Sequence, residues 1–116
     1  DIYDYFEDKI KMIRSAGIKH NNIILDPGIG FGKNLKHNMS ILKNISIFHS
    51  LGFPILVGAS KKRFIGELNK KYDSKKRHGG TISTSIFLAM QGVQFLRIHE
   101  AKEVNQALTV FKKLNF

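Results

Sequence analysis

The stretch Ile23-Ile24-Leu25-Asp26-Pro27-Gly28-Ile29-Gly30-Phe31-Gly32-Lys33 decides how the rest of the chain is read. Its opening residues are apolar, β-branched in part and bounded by turn formers, which predicts a short buried strand over 23–26. Pro27 has no amide hydrogen and cannot continue a central ladder. Three glycines then alternate with larger side chains, a spacing that lets the backbone turn sharply and a ligand come close. Asp26 is thereby placed at the carboxyl end of a buried strand, where α/β proteins bind ligands. The glycines are each two apart, and no third motif glycine opens a helix, so this is not a dinucleotide fingerprint. Lys33 is not followed by Ser or Thr, so it is not a P-loop. An isolated Asp-Pro-Gly is most simply a capped turn. The spaced glycines, Phe31 and Lys33 weigh here for a site.

Outward from this stretch, helical and apolar segments alternate. Tyr3, Phe6, Ile10 and Ile13 recur at helical spacing over 2–16, and Gly17 is a good terminator. A helix is predicted over 38–51, striped by Ile41, Leu42, Ile45 and Phe48, with Asn38 as its cap and Gly52 at its end. Pro54-Ile55-Leu56-Val57 reads as a second strand, ended by Gly58-Ala59-Ser60. A short helix over 62–69 and a polar loop over 70–80 follow. The small-residue helix 81–91 ends at Gly92, a third strand covers 93–98, and a last helix covers 101–114 with Val104, Ala107, Leu108, Phe111 and Leu114 on one face. Strands alternating with helices predict right-handed βαβ units and an α/β fold of three parallel strands, apolar on both faces and covered by helices. Parallel strands end on one rim. Asp26, then Ser60 and Lys62, then Arg97 and His99 therefore converge on a single face.

Composition narrows the field. A chain of 116 residues holds one small domain. It starts at Asp1, which raises a fragment or a processed product. There is no cysteine, so disulfides and thiolate metal sites are excluded. No apolar run has the length of a membrane span and no signal peptide is visible, so a cytoplasmic chain with no membrane partner is expected. The net charge of +10 invites nucleic acid or anionic substrates. The lysines are spread over every segment, however, and the densest group, Lys70 to Arg77, holds no aromatic except Tyr72, so no nucleic-acid partner is expected. His20, His37, His49 and His78 read as surface or loop residues. No pair has metal-ligand spacing, so no protein-only metal site is expected. An isolated His99 would read as a structural histidine; beside Arg97 it reads as functional.

Asp26 to Lys33, Ser60-Lys61-Lys62-Arg63 and Arg97-Ile98-His99-Glu100 together resemble, in order, the DPGxGFGK, SRK and RxHD blocks of the dihydropteroate synthase family. The resemblance runs through the whole chain but only the carboxyl-terminal part of the family's sequence. It implies that residues 1–116 are the last three strand-helix units of a (β/α)8 TIM barrel, incomplete in this chain, with full activity needing the amino-terminal half. It implies the condensation of 4-aminobenzoate with 6-hydroxymethyl-7,8-dihydropterin diphosphate to 7,8-dihydropteroate, with release of pyrophosphate. It further implies Mg²⁺ bound with the diphosphate and a residue outside this chain, and a homodimer formed by the last helices, with the small-residue segment 81–91 as a candidate contact. Carried over by position, Asp26 would accept hydrogen bonds from the pterin's amino-pyrimidine edge. Gly30 and Phe31 would line the pocket, Phe31 as a wall for 4-aminobenzoate. Lys62 would reach the pterin oxygen, Arg63 would start the helix facing the 4-aminobenzoate carboxylate, and Arg97 and His99 would hold the departing diphosphate. Lys62, Arg97 and His99 are the catalytic candidates. Two positions depart from the family pattern: Lys61 stands where Arg is usual and Glu100 where Asp is usual. A methyltetrahydrofolate-dependent methyltransferase barrel and an inactive fragment are the alternatives, the first disfavoured by the Ser60–Arg63 block.

Overall fold

The structure is a computed structural model that describes residues 1–29, 34–58, 78–99 and 101–115. The expected helix 62–69, the polar loop 70–77 and the residues Gly30, Phe31, Lys33, Ser60, Lys61, Lys62, Arg63 and Glu100 lie outside the described residues. In chain order the described elements are α1 (Ile2–Ser15), α2 (Leu35–Lys43), β1 (Leu56–Gly58), α3 (His78–Met90), β2 (Phe95–Arg97) and α4 (Ala101–Asn115). Two 3₁₀ segments, His20–Asn22 and Ile45–Leu51, lie between them. None of the described helices is long and apolar enough to cross a membrane.

Local chemistry sets the helix ends. The Asp1 carboxylate accepts from the Asp4 amide at 3.0 Å and caps α1. At the other end Gly17 has φ +97°; its amide donates to Arg14 and that of Ile18 to Ile13, a Schellman closure. Gly92 ends α3 in the same way, with bonds from Gly92 to Ala89 and from Val93 to Leu88. The helix expected over 38–51 is shorter and starts earlier. Asn34 caps it, its side chain accepting from the His37 amide at 2.8 Å. Asn38 is not a cap but a buried residue inside α2. The α-helix stops at Asn44, beyond which Ile45, Ser46 and Ile47 are poorer helix formers and the chain tightens into the 3₁₀ segment. Conversely, α3 begins three residues before the expected start, at His78.

β1 and β2 pair in parallel, with Leu56 opposite Phe95, Val57 opposite Leu96 and Gly58 opposite Arg97. The expected first strand is reduced to an isolated parallel bridge between Leu25 and Ile55. Its bonds run from the Leu25 amide to Pro54 O and from the Leu56 amide to Leu25 O. Pro27 lies just beyond and cannot donate, which ends the ladder. On the other flank of β1, the Gln94 side-chain oxygen accepts from the Ile55 amide at 2.9 Å, so a side chain completes the ladder's first rung.

Among the described residues, helices cover one side of these segments only. Ile23, Leu25, Ile55 and Val57 are buried among Phe6, Leu42, Ile45, Phe48, Phe53 and Leu88. Phe6 meets Phe48 edge-on at 5.4 Å, which ties α1 to the 3₁₀ segment. The opposite side is open, with Ile24 at 50% and Phe95 at 46% exposure. The expectation of strands buried on both faces is therefore corrected for the described residues. Within α3 the small residues Thr81 and Ser85 are fully buried inside the chain. His49 is not a surface histidine either: it is half-buried and its Nε2 bonds the Gln91 carbonyl at 2.8 Å.

Candidate functional site

The candidate rim is built from the carboxyl ends of parallel segments. Burial alternates through the Asp-Pro-Gly turn: Ile23, Leu25, Pro27 and Ile29 are buried, Ile24 and Asp26 exposed, Gly28 half-buried. The period-two pattern of an extended chain thus persists past the single bridge. One residue beyond that bridge, Asp26 falls level with Leu56 and so with Phe95. Arg97 is two residues further along β2, about 7 Å at the strand rise. An even offset keeps Asp26, Phe95 and Arg97 on the same side, the side away from the helices. Exposure agrees, since Asp26 and Arg97 are both open to solvent. His99 is exposed two residues past Arg97, before α4 begins at Ala101.

The Asp26 carboxylate is already engaged by its own turn. Its Oδ1 accepts from the Gly28 amide at 2.8 Å. Gly28 has φ +71°, a conformation glycine adopts without a Cβ penalty. Pro27 and Ile29, both buried, hold the turn down on either side of Gly28.

Of the sequence-derived site residues, the structure brings Asp26 and Arg97 to one end and one side, with His99 following. Gly30, Phe31, Lys62 and Arg63 lie outside the described residues. Two open clefts are found elsewhere, between helices. One of about 580 Å³ is bounded by Ile2, His37, Ile41 and Phe48. The other, of about 640 Å³, is bounded by Val93, Leu96, Val104 and Leu108. Neither is lined by Asp26, Arg97 or His99. Gln94 and Gly28, which shape the strand starts and the turn, were not singled out as individual contacts by sequence reasoning. Alternation through Pro27 and Ile29 was the signal that could have located the Gly28 amide.

An acid and a guanidinium at the carboxyl ends of parallel segments, with helices packed behind, define an α/β protein with a charged rim. The chain belongs to the pterin binding enzyme family, whose sequence profile matches residues 1–99. It is 40% identical over 110 residues to the dihydropteroate synthase of Escherichia coli, which covers 95% of this chain and 39% of that protein. It is 35% identical over 104 residues to that of Bacillus subtilis, covering 90% of this chain and 36% of the relative. Among solved structures, dihydropteroate synthase from Xanthomonas albilineans in complex with 7,8-dihydropteroate superposes with a TM-score of 0.94 at 32% identity, over 98% of this chain and 44% of that one. The Yersinia pestis enzyme superposes with a TM-score of 0.93 at 37% identity, over 99% of this chain and 54% of the other. The chain thus spans about two fifths of the length of the curated relatives it matches.

Proposed function

We propose that this chain is the carboxyl-terminal part of a dihydropteroate synthase, joining 4-aminobenzoate to a dihydropterin diphosphate. The observation that carries the reading is the placement of Asp26 and Arg97 on one side and one end of parallel segments, in a chain similar over nearly its whole length to such enzymes. Xanthomonas albilineans structures are described with 7,8-dihydropteroate and with 4-aminobenzoic acid, which is the ligand chemistry the rim would take. In this reading the open side carrying Ile24 and Phe95 is the interior of a (β/α)8 barrel, filled by side chains of further strands.

The chemistry follows from charge. The carbon–oxygen bond at the pterin methylene breaks and its electron pair leaves on the diphosphate. The aromatic amine donates its lone pair to form the carbon–nitrogen bond and then loses a proton. Electron release from the dihydropterin ring stabilises the methylene as the diphosphate departs. Asp26 orients the ring, because two adjacent N–H donors match the two oxygens of a carboxylate. Arg97 offers paired donors to the diphosphate, and His99 lies beside it in sequence. Lys62 and Arg63 take the pterin-oxygen and 4-aminobenzoate roles, and Gly30 and Phe31 line the pocket. The protein's share is positioning and stabilisation of the leaving charge. Mg²⁺ would travel with the diphosphate. Among the described residues no three His, Asp or Glu side chains converge to hold a cation.

Pairing of two copies is also part of the reading. With Thr81 and Ser85 turned inward, Phe87 and Met90 are the apolar side chains that α3 leaves exposed for it. A complete polypeptide that sediments as a monomer at micromolar concentration removes this element.

The test is formation of dihydropteroate from the two substrates by the complete polypeptide, together with binding of the pterin diphosphate. Asp26→Asn is expected to weaken pterin binding about tenfold or more, the scale of one charge-assisted hydrogen bond. Unchanged binding takes Asp26 out of the site. Arg97→Lys is expected to lower kcat while leaving pterin affinity less affected, since a lysine keeps charge but loses the planar fork.

A further inference from the structure

We infer that Gly28 is a positioning residue for the Asp26 carboxylate, its amide presetting the oxygen pair that receives the pterin edge. The inference rests on the dihydropteroate synthase reading and adds to it a residue that need not touch substrate. Asp26 is exposed, and an exposed aspartate is free to sample several rotamers. Each must be surrendered when a two-pronged ligand binds. Here one partner is supplied in advance. The Gly28 amide donates to Asp26 Oδ1 at 2.8 Å.

Three features make that donor the one the turn selects. Pro27 has no amide hydrogen, so the nearest competing donor is removed by covalent structure. Gly28 sits at φ +71°, which fixes the course of the chain just after that amide and which residues with a Cβ adopt only with strain. Pro27 and Ile29 are both buried, Ile29 to 1% exposure, so the turn is anchored on either side of the donor. The bond occupies one lone pair of Oδ1. It leaves Oδ2, and the second lone pair of Oδ1, for an amino-pyrimidine edge.

The experiment titrates the complete polypeptide with 6-hydroxymethyl-7,8-dihydropterin diphosphate and then measures kcat and both KM values. Gly28→Ala strains the left-handed turn and is expected to raise the Kd and KM for the pterin about tenfold, the scale of one hydrogen bond to a charged group. The kcat at saturation and the KM for 4-aminobenzoate stay near wild type. Gly28→Asn keeps the amide and tolerates positive φ, so it recovers most of the lost affinity. Glycolic acid in place of Gly28 makes an ester and deletes only the N–H, giving the same rise without the strain. In an Asp26→Ala background, Gly28→Ala adds nothing further, because the group it acts through is gone. An unchanged Kd in the ester protein overturns the inference. So does a Gly28→Ala penalty that persists in full beside Asp26→Ala, since it would be a purely structural effect. Wild-type protein that does not bind the pterin diphosphate at all overturns the enzymatic reading and this inference with it.

Discussion

At the scale of single residues, the backs of the helices are tied by histidines. His20 Nε2 bonds the Gly52 carbonyl at 2.9 Å, and its ring stacks on Phe53 at 4.1 Å. His49 Nε2 bonds the Gln91 carbonyl at 2.8 Å. Both acceptors are carbonyls at helix ends, which lack an intrahelical partner. Because a carbonyl only accepts, each Nε2 carries the proton. Gly92, next to Gln91, has φ +80°, and a Cβ there would lie 3.3 Å from His49 Nε2. Gly92→Ala is therefore expected to destabilise the chain by about 1–3 kcal/mol through strain and displacement of the imidazole. His49→Ala, which orphans a half-buried carbonyl, costs about 1–3 kcal/mol. Urea unfolding of the two single variants and the double should show less than additive loss, since the two share one contact. Full additivity would separate them. The glycine terminators at 17, 52 and 92 were legible in the sequence because positive φ is what glycine supplies, and all three adopt it. The histidines were not, because their partners are 32 and 42 residues away along the chain.

At the scale of elements, periodicity located the helices and misjudged their ends. α1 and α4 fall within a residue of the expected spans, since their apolar stripes are regular. Asn38 was misread because Asn34 and Asn38 are both good caps, and only the course of the chain after Lys33 decides between them. The expected strand at 23–26 keeps its alternation of burial but makes one bridge, because ladder bonds depend on neighbours that a sequence does not display. For the candidate rim, the placement of Asp26 and Arg97 on one side and one end was legible because motif and segment end coincide. The Gly28 contact was not, because it is a backbone donor. α3 gives the sharpest element-level test. Ser85 is fully buried and its hydroxyl donates to the Thr81 carbonyl at 2.7 Å. That carbonyl sits inside a helix, so the hydroxyl bond supplements a backbone acceptor within the helix. Ser85→Ala should shift stability by no more than about 0.5 kcal/mol, helix propensity offsetting the lost bond. Ser85→Leu should cost about 1–3 kcal/mol by overpacking. A comparable loss in both would mean that the hydroxyl, rather than the space, is what matters.

At the scale of the whole molecule, the chain is more extended than a compact domain, and the described strands have one uncovered side. The radius of gyration is 15.3 Å and the extents are 46 × 34 × 21 Å. A compact domain of this length has a radius near ~13 Å. The accessible surface is 7816 Å², against about 6400 Å² for a compact protein of this mass. The excess is of the size that one partner contributes to an extensive interface. Part of it is apolar and lies on the open side, at Ile24 and Phe95. Such a surface is poorly tolerated in water and invites association. The 116-residue chain expressed by itself is accordingly expected to self-associate at tens of micromolar and to form no dihydropteroate. The paired substitution Ile24→Lys and Phe95→Lys should shift its sedimentation toward monomer, because both positions are exposed and no core contact is lost. The same pair placed in the complete polypeptide should do the opposite and abolish soluble expression, since there it would put two ammonium groups into a packed barrel interior. A complete polypeptide that tolerated both lysines would show that this side faces solvent in the finished protein. The barrel reading would then fail, while the pairing of β1 with β2 would stand.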